Sequence, residues 1–139
     1  MAKIPILKLG STLLVSIQTE LHDRLASELQ EEILASIEKN KSKAVIIDIT
    51  ALEIVDSFIG RMLTNTAEMA ALMDAEVILV GISPAVAITL VELGMELKGV
   101  KTALDLESAL EIINDNLSEE NNADFFSSDP KSDDERDEN

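Results

Sequence analysis

The stretch Ala44–Met73, AVIIDITALEIVDSFIGRMLTNTAEMAALM, decides the fold. Its first six residues, Ala44–Ile49, are β-branched or small and apolar apart from Asp48, the make-up of a strand buried on both faces of a sheet. After a short turn, Asp56-Ser57 opens an amphipathic helix running to about Met73. Ile59, Leu63, Ala67 and Ala70 form one stripe of it, with Met62, Met69 and Met73 beside them. A buried strand leading into such a helix is the opening of a βαβ unit, so a parallel sheet is expected.

Working outward, Val77–Ile82 repeats the buried-strand signature. Ser83-Pro84 follows it as the cap and first residue of another helix, which stops near Gly94. A short strand around Val100–Ala103 leads to Asp105, the expected cap of a last helix carrying Leu106, Leu110, Ile113 and Leu117. Toward the amino terminus, Ile4–Leu9 and Leu13–Gln18 are strands around the turn-forming pair Gly10-Ser11. Thr19 is expected to cap a helix that runs to about Lys39, with Leu21, Leu25, Leu29, Ile33 and Ile37 as its apolar stripe, and Asn40-Lys41-Ser42 ends it. The order is therefore β-β-α-β-α-β-α-β-α. It predicts an α/β fold of about five mostly parallel strands and about four helices, the first two strands antiparallel.

The chain has 139 residues, no cysteine, three phenylalanines as its only aromatics, and a formal charge of −16. The expected division is one domain over residues 1–117 and an acidic, disordered tail over residues 118–139. Nine acidic residues of the tail stand against Lys131 and Arg136, a net of −7. Charge of this sign repels nucleic acid and anionic membranes, and the scarcity of aromatics removes a stacking platform for bases. No apolar run reaches the ~20 residues of a bilayer span and no signal peptide is legible, so a cytoplasmic location is expected. Phe125-Phe126 is read as two stray aromatics rather than a docking motif.

Ser57 is the residue with chemistry to offer. Capping by Asp56 or Ser57 is expected whatever else the serine does, at about 1 kcal/mol. A hydrolase nucleophile needs a base and an oxyanion hole, yet the one histidine, His22, opens the first helix and no G-x-S-x-G surrounds Ser57. A phosphoacceptor needs neither, because the kinase supplies the base. Scattered glycines form no phosphate loop, and one histidine makes no metal site, so no cofactor and no metal are expected. His22 is read as a solvent-facing or capping residue. The methionines at 62, 69 and 73 are core filler, or interface candidates if their face is exposed.

The VIIDIT strand, the VDSFIGR helix start and the ILVGISPAVAITLVELG segment together resemble the STAS family, the sulfate transporter and anti-sigma factor antagonist domains. Within it the likeness is to the single-domain scaffolds of the bacterial stressosome. It covers essentially residues 3–117, with KIPILKL, LLVSIQ and TALDLESAL as further matches, and leaves out the tail. The resemblance implies a non-enzymatic protein, homo-oligomeric and co-assembled with RsbR-type co-scaffold proteins in a large hetero-oligomeric complex. It implies that the complex holds an RsbT-type serine/threonine kinase, which phosphorylates the serine matching Ser57 and is thereby released, and that an RsbX-type phosphatase resets the system. Asp56, Phe58, Ile59, Gly60 and Arg61 are the expected partner-binding residues. Thr89 lies near a position where related proteins carry a phosphorylated threonine.

Two departures stand out. Asp74 occupies a turn where many relatives place glycine, and the long acidic tail is unusual. The alternative within the family is a SpoIIAA-like anti-sigma factor antagonist; such helices tend to start D-S-S-G-L-G, whereas this one runs Asp56-Ser57-Phe58-Ile59-Gly60-Arg61. The remote alternative is a small serine-dependent α/β enzyme.

Overall fold

The computed structural model describes residues 4–97 and 99–116. The acidic segment 118–139, with Phe125-Phe126, and Leu117 lie outside the described residues. The chain divides into two compact units, residues 1–109 and 110–139.

The first unit holds β1 (Ile6–Leu9), β2 (Thr12–Ser16), α1 (Asp23–Asn40), β3 (Ala44–Asp48), α2 (Ser57–Leu72), β4 (Glu76–Val80), α3 (Pro84–Glu92) and β5 (Val100–Ala103). A last helix, α4, is described over residues 106–116, of which 110–116 fall in the second unit. The strands form one sheet in the order β1-β2-β3-β4-β5, with β1 antiparallel to β2 and the rest parallel, as the element order predicts. β1 begins only at Ile6 because Pro5 has no N–H to give to a ladder, although Ile4 is buried.

The core is a continuous layer on one face of this sheet. Val15, Ile47 and Leu79 lie side by side in register, each at most 1 % exposed. Leu29, Ile33 and Ile37 of α1 and Ile59, Leu63, Ala67 and Ala70 of α2 belong to the same cluster. The alternate residues Ala44, Ile46, Ile78 and Val80 are buried too, which accounts for the unbroken apolar runs of β3 and β4. One polar link is buried among these contacts. Gln30 Nε2 donates to Thr66 Oγ1 at 3.0 Å, and that hydroxyl donates to the Met62 carbonyl at 2.7 Å, so a fully buried Thr66 is satisfied.

Thr19 does not cap α1. Leu21 packs against the core from the connection before the helix, so the helix starts later, at Asp23, and His22 becomes the cap, with its Nδ1 accepting from the Leu25 N–H. Ser83 and Asp105 cap as expected, Ser83 Oγ accepting from Val86 N–H at 3.2 Å and Asp105 Oδ1 from Ser108 N–H at 2.9 Å. The Asp74 turn has a physical explanation. Its φ is +65°, the left-handed region that favours glycine, and its carboxylate is held by Lys43 Nζ at 2.6 Å.

Candidate functional site

In a parallel sheet the helices that follow the strands start at the strands' carboxyl ends, and that edge is where Ser57 lies. β3 ends at Asp48, whose Oδ1 accepts from both the backbone N–H (2.9 Å) and the hydroxyl (2.6 Å) of Thr50, folding the chain into a side-chain-stabilised turn. Leu52 and Val55, each 1 % exposed, then anchor the connection from inside, while Glu53 and Ile54 stay in solvent. The neighbouring connection, after β4, presses on the same turn. Gly81, at φ +80°, approaches Thr50 so closely that a Cβ there would sit 2.0 Å from Thr50 Oγ1 and 2.9 Å from its backbone nitrogen. Two adjacent loops are thus locked together just before the start of α2.

Asp56 is the cap of α2. Its backbone is extended, its Oδ1 accepts from Ile59 N–H at 2.9 Å, and its carbonyl accepts from Gly60 N–H at 3.0 Å. Ser57 is the first helical residue and is half-buried. With Asp56 filling the capping role, the serine hydroxyl is left out of it, and among the described residues no hydrogen bond engages that oxygen. No acidic side chain stands in the first turn of the helix itself, so on this element the partial positive charge at its start is met by the cap, Asp56.

The other expected site residues separate into two groups. Asp56 and Arg61 are exposed, and Phe58 is half-buried against the core. Ile59 and Gly60 are buried within the chain, so they shape the site from beneath and offer no surface to a partner. Gly60 backs onto Met95 and Leu90, where an added Cβ would come within 2.5 Å of the flexible Met95 sulfur. Thr89 lies within α3 and its hydroxyl donates to the Ala85 carbonyl at 3.0 Å. Of the methionines, Met62 is in the core, while Met69 and Met73 are 40 % and 38 % exposed.

The Thr50–Gly81 contact joins two loops and is barely legible in the sequence. A glycine after a buried strand was its only trace. A cavity of about 210 Å³ at the opposite edge of the sheet, lined by Ile37, Glu38, Lys41, Ser42, Lys43 and Met73, was also unforeseen. Among the described residues no cluster of three or more acidic or histidine side chains could hold a metal ion, and no helix is long and apolar enough to cross a membrane.

A mixed sheet with this strand order, capped by a serine-bearing helix start at its carboxyl edge, defines a class: the chain belongs to the STAS domain family, whose pattern matches residues 3–109. Two solved structures carry the likeness further. A Moorella thermoacetica RsbS variant with one serine replaced by glutamate is 40 % identical, covering 85 % of this chain and 99 % of its own, with a TM-score of 0.73. A chain from the stressosome, described as a signal integration and transduction hub, is 43 % identical over 82 % of this chain and 98 % of its own, with a TM-score of 0.70. By sequence, the RsbT co-antagonist protein RsbRA of Bacillus subtilis is 33 % identical over 91 residues, 58 % of this chain and 33 % of that protein. The chain thus spans about a third of the length of the curated relatives it matches.

Proposed function

We propose that this STAS domain is a non-enzymatic scaffold and phospho-switch of a stressosome-type assembly, acting in the cytoplasm and regulated at Ser57. The observation that carries the reading is the division of labour at the start of α2, where Asp56 takes the cap and leaves the Ser57 hydroxyl unengaged among the described residues. An RsbT-type kinase would take the serine proton on its own base as Oγ attacks the γ-phosphoryl group of ATP, and ADP leaves. The product adds about −1.5 to −2 charges beside Asp56 without disturbing a core contact. Asp56, Arg61 and the exposed part of Phe58 form the surface a partner reads, with Ile59 and Gly60 fixing it from within.

The likeness to RsbS and to a stressosome chain at 40–43 % identity favours co-assembly with RsbR-type proteins, and the RsbRA relative favours the same partners. An RsbX-type phosphatase would restore the hydroxyl. Thr89 is the secondary acceptor; its hydroxyl must first give up the Ala85 carbonyl, so it reacts more slowly than Ser57. Residues 1–117 act as the scaffold body in this scheme and 118–139 as an appended acidic segment. Incubation with the cognate kinase and ATP, followed by phosphosite mapping, tests the assignment. Phosphate on Ser57 is expected; transfer confined to other residues would remove the basis of the switch.

A further inference from the structure

In the sequence, the residue of opposite sign nearest the charge that phosphorylation adds at Ser57 is Arg61. Between Lys43 and Lys98 the sequence holds eight acidic residues and a single cation, Arg61. Arg61 is the fifth residue of α2 and Ser57 the first, so the two are four apart on one helix face, with Cβ atoms about 5–6 Å from each other. Arg61 is exposed, and among the described residues no ion pair engages it. The order is the favourable one for a helix, with the anion on the amino-terminal side and the cation one turn later. The nearest acid in sequence, Asp56, is already bound to the Ile59 N–H.

We propose that Arg61 is the internal counter-ion of phosphorylated Ser57. This inference rests on the phosphoacceptor reading and deepens it. A guanidinium presents paired N–H donors that match phosphate oxygens, and a side chain of arginine's length spans one helical turn. Before phosphorylation Arg61 is exposed, with no ion pair among the described residues, and is a contact for an acidic group on a partner. Afterwards it is folded onto the phosphate. The switch then changes the surface twice, by adding an anion and by withdrawing a cation, and the second change needs no movement of the backbone.

The test uses the full chain with phosphoserine installed at position 57 by codon-directed incorporation, so that it does not depend on any kinase. The ³¹P signal is titrated through the second phosphate ionisation, ordinarily near about 6. Comparing variants cancels the opposing influence of Asp56, which is common to all. The Arg61→Gln protein is expected to titrate about half a unit higher than the unsubstituted one, with Arg61→Lys between them. In about 1 M salt, where screening acts over ~3 Å, the difference should shrink. Identical titrations of the arginine and glutamine proteins would overturn the proposal. Should Arg61→Gln fail to fold, the difference between the lysine variant and the unsubstituted protein, and its shrinkage in salt, decide in its place. Site mapping with the kinase, by contrast, judges only whether Ser57 is the physiological acceptor, so the two failures are separable.

Discussion

Replacing Gly81 with alanine should be the most damaging one-carbon change at the carboxyl edge of the sheet. Two costs add. The residue has φ +80°, where an L side chain is disfavoured by about 1–2 kcal/mol. The new Cβ would also lie 2.0 Å from Thr50 Oγ1 and 2.9–3.0 Å from the Thr50 backbone, and forcing a shift of that kind costs about 1–3 kcal/mol. The sum, about 2–5 kcal/mol, is a large part of the 5–15 kcal/mol that ordinarily holds a domain together, and corresponds to a fall in Tm of roughly 10 °C or more. Gly94 supplies the control. It too has positive φ (+69°), but nothing lies within 4 Å of its Cβ position, so Gly94→Ala bears only the conformational cost. Combining Gly81→Ala with Thr50→Ala removes the worst contact yet leaves the backbone ones, so partial recovery is expected. Thermal unfolding of the three proteins is the assay. Equal losses at Gly81 and Gly94 would refute the claim that the two loops are locked by close approach.

Three further outcomes follow from local geometry. Asp56→Ala removes the oxygen that accepts from Ile59 N–H and should cost about 1 kcal/mol in denaturant unfolding, with Asp56→Asn losing less. Asp74→Gly relieves the left-handed backbone but loses the exposed Lys43 pair, so its stability should stay within about 1 kcal/mol of the original. Asp74→Ala keeps the strain and loses the pair, and should unfold more readily than Asp74→Gly. The backbone N–H and then the side chain of Ser108 hydrogen-bond to Asp105 and hold its carboxyl below 3.8, its ordinary value. Because the folded value is the lower one, this contribution is present above 3.8 and fades as pH falls through the folded value. NMR titration of Asp105 should therefore show a midpoint below 3.8, and loss of the depression in Ser108→Pro, which lacks the N–H.

Much of this architecture is legible in the chain because its signals are local. Ala44–Ile49 and Val77–Ile82 announce buried strands, and Ser83-Pro84 and Asp105 announce helix starts, each through the chemistry of a few adjacent residues. The same locality explains the misses. Whether Thr19 or His22 caps α1 depends on where Leu21 meets the core, a tertiary fact. The Gln30–Thr66 bond joins residues 36 apart, and the Thr50–Gly81 approach joins two loops, so neither leaves a pattern along the chain. Asp74 occupies a left-handed turn whose conformation the residue type alone does not reveal. At the site, the sequence singles out Ser57 but leaves Asp56 and Ser57 equal as caps; the 2.9 Å bond to Ile59 N–H decides between them. Ile59 is interior, as its place on the apolar stripe of the helix implies, whereas Gly60 looks like a surface residue of the motif and only packing shows that it too is buried.

In the proposed switch, negative charge at Ser57 governs whether a bound kinase stays. Retention of an RsbT-type kinase on the assembled scaffold should be measured by co-sedimentation, with unmodified protein, Ser57→Ala and protein stoichiometrically phosphorylated at Ser57. Firm retention by the first two and release from the third are expected of this switch. Equal retention by all three would contradict it.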